Sequence, residues 1–131
     1  MCIRDRLAPP CATVLRFDSS VLFDFDSDVL RPAAEPILDE VADVLQSNGQ
    51  TIEVHGHTDA IGTDEYNLDL SQRRAQAFVE GLIDRGVTSE IVAIGFGESQ
   101  PIAPNERADG SDDPVGRQLN RRVEVVLFET G

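Results

Sequence analysis

A chain of 131 residues supports one domain with one core, and its 40% hydrophobic and 27% charged residues are ordinary for a globular protein. Eleven basic residues against 24 acidic ones give a net charge of −13, so nucleic acid and anionic membrane are poor partners for the surface as a whole. No apolar run approaches the ~20 residues that span a bilayer, and "MCIRDRLAPPCA" has no apolar stretch of signal-peptide length.

Residues 1–16 are expected to be irregular, with Pro9 and Pro10 as a breaker. The abrupt start reads as a linker or a non-native scar, and the domain proper is expected over 17–131. Cys2 and Cys11 both fall in this stretch and match no zinc spacing. "SSVLFDFDSD" reads as a strand around Val21 to Phe25, closed by an Asp/Ser turn. A helix follows, with Pro32 in its first turn and a stripe of Ile37, Val41, Val44 and Leu45, and Gly49 is its expected stop.

"TIEVHGHT" alternates, with Ile52 and Val54 facing one way and Thr51, Glu53 and His55 the other. The longest helical pattern comes next. Ala75, Phe78, Val79, Leu82 and Ile83 form its buried face, and Gly86 with Val87 closes it. "EIVAIGFG" is a third strand, Glu98 to Gly116 a polar loop, and "RRVEVVLF" the last strand. In that strand Val123, Val125 and Leu127 alternate with Glu124, Val126 and Phe128. The order β-α-β-α-β-β predicts an α+β fold, a two-layer sandwich in which helices pack on one face of a mixed sheet.

Both histidines lie in "VHGHTDA". H-x-H-x-D on a strand puts His55, His57 and Asp59 on one face, which could begin a metal site. Zinc takes three or four protein ligands, and the chain has no third histidine. No metal or cofactor is therefore expected, and exposed strand histidines are the preferred reading. Asp59 is different. It lies where a strand turns toward a helix, the edge at which such folds bind ligands, and Arg74 falls in the first turns of that helix. The two residues make either a structural ion pair or a clamp for a zwitterion. In the clamp, Asp59 takes an ammonium and Arg74 takes a carboxylate bidentately.

"HGHTDAIGTDEYNLDLSQRRAQAFVEGLIDRGV" resembles the centre of the OmpA-like C-terminal domain family, the peptidoglycan-binding module also found in peptidoglycan-associated lipoproteins and flagellar stator proteins. The family pattern T-D-x-x-G, then N-x-x-L-S-x-x-R-A, falls here on Thr58, Asp59, Gly62, Asn67, Leu70, Ser71, Arg74 and Ala75. "VLFDFDSDVL", "GFGESQPIAPN" and "GRQLNRRVEV" resemble its other motifs, so the likeness covers about residues 17–128. It implies non-catalytic binding of peptidoglycan through the meso-diaminopimelate of the stem peptide, with Asp59 on the ammonium and Arg74 on the carboxylate.

By the same resemblance Thr58, Asn67 and Leu70 line the pocket, Asp26 and Ser27 form its rim, and Arg122 reaches it. Asn120 and Arg121 are read as structural. The implied protein is a periplasmic anchor attached to the outer membrane, or to another envelope protein, through a region before residue 1. The segment itself does not insert in the membrane, and the resemblance admits a homodimer. "SDDPVG" at 111–116 departs from shorter members and reads as an acidic loop insertion with a solvated turn. An enzyme is not expected, for there is no nucleophile elbow, no Cys–His pairing and no phosphate-cradling glycine loop. The competing reading is an envelope protein–protein interaction module that does not bind the wall.

Overall fold

The computed structural model describes residues 12–24, 26–46 and 51–128. The expected stop at Gly49, the residues before 12 with both cysteines, and Phe25 lie outside them. In chain order the elements are β1 (Ala12–Asp18), α1 (Ser19–Leu22), a 3-10 turn (Pro32–Ala34), α2 (Glu35–Gln46), β2 (Ile52–His57), α3 (Asp64–Asp84), β3 (Ile91–Gly97), α4 (Pro114–Asn120) and β4 (Arg122–Phe128). The four strands form one mixed sheet in the order β1-β4-β2-β3. β4 runs antiparallel to both β1 and β2, and β2 runs parallel to β3.

Strand parity divides the sheet into two faces. Val123, Val125 and Leu127 of β4 pack with Ile52 and Val54 of β2 beneath Leu38, Val41 and Leu45 of α2 and Phe78, Val79 and Leu82 of α3. Leu15 and Phe17 of β1 join this core, and the Phe17 ring stacks on Phe78 at 6.0 Å. On the opposite face lie Arg16, Glu124, His55 and their neighbours two residues on.

Three elements differ from the sequence reading. The first strand is Ala12–Asp18, most of it inside the stretch expected to be irregular, and Val21 lies in a one-turn helix rather than a strand. Asp18 forces that turn by accepting from the Ser20 amide at 2.8 Å, so the chain leaves the sheet and buries Leu22 and Phe23 side by side. Phe23 keeps only an isolated bridge to Leu30. The stripe of α2 is Leu38, Val41, Ala42 and Leu45, whereas Val44 is exposed. The start of α2 also shifts, since Pro32 opens a 3-10 turn and α-helix begins only at Glu35, with Pro36 in its first turn. Finally, α4 lies partly within the expected loop, capped by Asp113, which accepts from the Gly116 amide at 3.0 Å.

The long helix sits unusually close to the sheet. A Cβ added at Gly56 would stand 2.2 Å from the Ser71 carbonyl oxygen, and one at Gly95 would stand 2.5 Å from the Gln72 amide nitrogen. Gly56 and Gly95 are register partners on β2 and β3. This glycine pair is a groove into which the α3 backbone settles, and Ser71 Oγ closes it by accepting from the Gly97 amide at 2.9 Å. The start of α3 is thereby fixed against the ends of β2 and β3.

Candidate functional site

Beyond β2 the chain turns sharply, and its own polar groups hold the turn. The Thr58 amide donates to the Gly97 carbonyl at 2.8 Å, and Thr58 Oγ1 donates to the Asp59 carbonyl at 2.9 Å. Asp59 Oδ1 accepts from the Ile61 amide at 3.0 Å. Buried Asn67, one turn into α3, reaches back with Nδ2 to the Ile61 carbonyl at 3.0 Å. Thr63 caps α3 through the Tyr66 amide.

Asp59 therefore stands at one wall of a cavity of about 340 Å³, with Thr58, Asn67 and Leu70 beside it and Ile61, Gly62 and Tyr66 adding an apolar side. Arg74, Arg117, Arg121 and Asp26 complete the lining, which sets three guanidiniums against two carboxylates. A chain of net charge −13 thus keeps a locally cationic pocket.

Arg74 is 7% exposed and works first as a brace. Its Nε donates to the Ser27 carbonyl at 2.8 Å, its Nη2 to the Asp24 carbonyl at 3.1 Å, and its guanidinium lies 5.1 Å from the centre of the Phe23 ring. These bonds hold the loop that carries Asp26, whose backbone adopts the left-handed conformation at φ 60°. Burial pushes the Arg74 guanidinium below its ordinary pKa, with the Asp26 carboxylate opposing. Among the described residues Nη1 has no hydrogen-bond partner.

Asp59 and Arg74 share the cavity without pairing. Of the two readings of this pair, the direct ion pair is not formed; Asp59 pairs instead with Arg121, whose Nη1 donates to Asp59 Oδ2 at 2.7 Å. Arg117 Nη1 stands 3.6 Å from the same oxygen while its Nε and Nη2 fork onto Asp112 at 2.6 and 2.7 Å. The acidic insertion is largely exposed, as a solvated turn would be, but it is also tied to the site, since Asp113 caps α4 and Asp112 holds Arg117 beside Asp59.

Of the expected site residues, Asp26, Thr58, Asp59, Asn67, Leu70 and Arg74 line the cavity together. Ser27 contributes only its carbonyl, to Arg74. Arg122 does not reach the cavity. It lies on the opposite face of the sheet, donating from Nε to Glu124 Oε2 at 2.8 Å and from Nη2 to the Gln100 carbonyl at 2.9 Å. The signal that distinguishes it from Arg121 is parity. Val123, Val125 and Leu127 face the helices, so Arg121 shares their side and Arg122 does not. Asn120 is structural, as expected, and is fully buried. Its side chain accepts from the amides of Ile102 and Ala103 and donates to Ala103 and Asn105.

The histidines also differ from expectation. His57 is buried, with its ring stacked on Phe96 at 5.1 Å, and only His55 keeps partial exposure. Burial, followed by the Arg122 charge, pushes the His57 pKa down from 6.5 to about 4. Glu124, His55 and Arg16 also face it. Burial opposes ionisation of Glu124, but the N–H bonds from Arg122 and Arg16 outweigh it and hold the carboxyl below its ordinary range.

Between pH 6.5 and about 4 the unfolded chain binds a proton at His57 that the folded chain does not. Stability conferred by neutral His57 is therefore complete above pH 6.5 and falls as pH drops to about 4, by roughly 3 kcal/mol. Urea unfolding in EDTA across this window should show the loss in the wild type and a smaller one in His57→Phe. Equal losses would contradict the assignment.

Residues 22–113 match the OmpA family. Over 120 residues the chain is 44% identical to outer membrane porin F of Pseudomonas fluorescens, covering 90% of this chain and 35% of the porin. It is 38% identical over 112 residues to the peptidoglycan-associated lipoprotein of Pseudomonas putida, covering 85% of this chain and 64% of the lipoprotein. The chain thus spans about a third of one relative and under two thirds of the other. Among solved structures, the cell wall anchor of the type VI secretion system (T6SS) from Pseudomonas aeruginosa superposes with a TM-score of 0.75 at 32% identity, covering 91% of this chain and 82% of that one. By name these are an outer membrane porin, a peptidoglycan-associated lipoprotein and a cell wall anchor. With this likeness running from the first helix through the cavity loops, the chain belongs to the OmpA family.

Proposed function

We propose that the chain is a periplasmic anchor domain that binds peptidoglycan non-covalently through the meso-diaminopimelate of the stem peptide. The observation that carries this reading is the cavity itself. It gathers Asp59, Asp26 and three arginines around an opening with one apolar wall, which suits a free amino-acid centre on an otherwise anionic peptide. Asp59 takes the ammonium and Arg74 takes the carboxylate with its remaining N–H groups. Arg121 is the exchangeable partner. It is partly exposed, so it can leave Asp59 Oδ2 to the incoming ammonium and follow the ligand carboxylate.

The names of a lipoprotein relative and of a secretion-system neighbour, one peptidoglycan-associated and one a cell wall anchor, support the same partner. Among the described residues no helix is long and apolar enough to cross a membrane. Affinity for one stem peptide falls in the micromolar to millimolar range, about −4 to −8 kcal/mol, and many copies along the wall add avidity.

Co-sedimentation with purified sacculi tests the reading. The wild type should pellet and Asp59→Asn should stay in solution while folded. A net charge of −13 against an anionic wall leaves no bulk attraction to mimic binding. A folded wild type that stays in solution would instead favour a protein partner for the cavity.

A further inference from the structure

The face of the sheet turned away from the cavity carries a second constellation. His55, His57 and Glu124 are the one group of three among the described residues whose ligand atoms gather within 4.8 Å of one another. Strand register brings them together. His55 of β2 is directly opposite Glu124 of β4, and His57 is two residues along on the same face. Both strands are interior to the sheet, so the backbone under all three is fixed on either side.

His57 is the informative member. Its side chain is 1% exposed, yet among the described residues neither Nδ1 nor Nε2 has a hydrogen-bond partner. A buried polar group left without a partner calls for an explanation, and a bound ion is one. Its Nε2 lies 3.6 Å from Glu124 Oε1, too long for a hydrogen bond. That separation matches two ligands on one tetrahedral metal. Zinc bonds of about 2.0 to 2.2 Å at tetrahedral angles put neighbouring donor atoms about 3.4 Å apart.

The surroundings prepare two of the three donors. Arg16 Nε and Arg122 Nε both bond Glu124 Oε2 at 2.8 Å, which orients the carboxylate and leaves Oε1 toward His57. His55 Nε2 contacts Glu53 Oε1 at 2.7 Å, the carboxylate–imidazole pairing that fixes a ligating histidine and leaves Nδ1 to the metal.

We infer that His55, His57 and Glu124 form a binding site for a single divalent transition-metal ion of the zinc class. Two imidazoles and one carboxylate select such an ion over calcium or magnesium, which take oxygen donors. A fourth position stays open to water. The ion clips β2 to β4 immediately before Thr58 and Asp59, so it secures the strand end that leads into the cavity. Asp59, grouped with the histidines by sequence spacing, is not a ligand. Glu124 takes that place from a strand nearly 70 residues on, which no local motif reveals.

The test uses the full 131-residue chain without a tag. Cys2 and Cys11 are alkylated, and the protein is stripped with a chelator. Zn²⁺ is then titrated calorimetrically and in competition with a chromophoric chelator, with Co²⁺ absorption as the report on geometry. The wild type should bind one equivalent and melt at higher temperature with zinc. His57→Phe, which keeps a ring against Phe96, and the more exposed His55→Gln should each weaken binding by at least about 100-fold. Absence of a stoichiometric site in the wild type would overturn the inference, as would undiminished binding by folded His55→Gln.

Discussion

Gly56→Ala is expected to destabilise the protein by about 3 kcal/mol and to weaken ligand binding as well, although residue 56 touches no part of the cavity. The new methyl would meet the Ser71 carbonyl oxygen at 2.2 Å. That oxygen belongs to the backbone of α3 and cannot rotate away as a side chain would. Relief requires the helix to rise off the sheet by about 1 Å, which breaks the Ser71 Oγ bond to the Gly97 amide and opens the core around Phe78 and Val79. Asn67, Leu70 and Arg74 ride on the same helix, so the rise also carries one wall of the cavity away from Asp59. Urea unfolding should show a lower midpoint at unchanged slope. A loss below about 0.5 kcal/mol, the range of a neutral surface change, would mean that the helix is not seated on the glycines.

Asp59→Asn and Arg74→Lys should each reduce meso-diaminopimelate binding by roughly 10- to 100-fold, equivalent to about 1.5 to 3 kcal/mol for one charge-assisted hydrogen-bond partner. The routes differ. The Asp59→Asn change keeps the shape and the loop but removes the anion beside Arg121 and Arg117, so the ligand ammonium meets those guanidiniums without the carboxylate that stood between them. The Arg74→Lys change keeps the charge and loses the fork. A single ammonium cannot hold the Ser27 and Asp24 carbonyls and also grip a carboxylate. Calorimetry on both variants, each shown folded by circular dichroism, separates the effects. Arg74→Lys should also loosen the Asp24–Asp28 loop, visible as faster amide exchange there, and Asp59→Asn should not. Binding unchanged in both variants would place the ligand elsewhere.

The architecture was legible wherever periodicity and burial coincide. Ile52 and Val54, Phe78 and Leu82, and Val123 and Val125 declare their faces by spacing alone, and they form the observed core. The first strand was not legible, because "ATVLRFD" sits at the sheet edge with Val14 and Arg16 on the open face, so its alternation is weak. Conversely, "VLF" looks like a strand, but Asp18 caps a helical turn just ahead of it. Within the site, the sequence motif brought Thr58, Asp59, Asn67, Leu70 and Arg74 to one cavity. It did not reveal that Arg121 holds Asp59, a contact between residues 62 apart in sequence. Its parity with Val123 was nevertheless available. The burial of His57 was hidden for a different reason. A strand position on the polar face looks solvated until Phe96 of the neighbouring strand is known to cover it.

Titration of the wild-type domain with a stem peptide carrying meso-diaminopimelate and, separately, with the same peptide carrying L-lysine at that position tests the central claim most directly. Within the peptide the lysine side chain ends in the same ammonium but lacks the neighbouring carboxylate, so it leaves Arg74 without its partner. The diaminopimelate peptide should bind in the micromolar to millimolar range and the lysine peptide at least about tenfold more weakly. Equal affinities, or no diaminopimelate binding by the folded protein, would contradict a clamp built on Asp59 and Arg74.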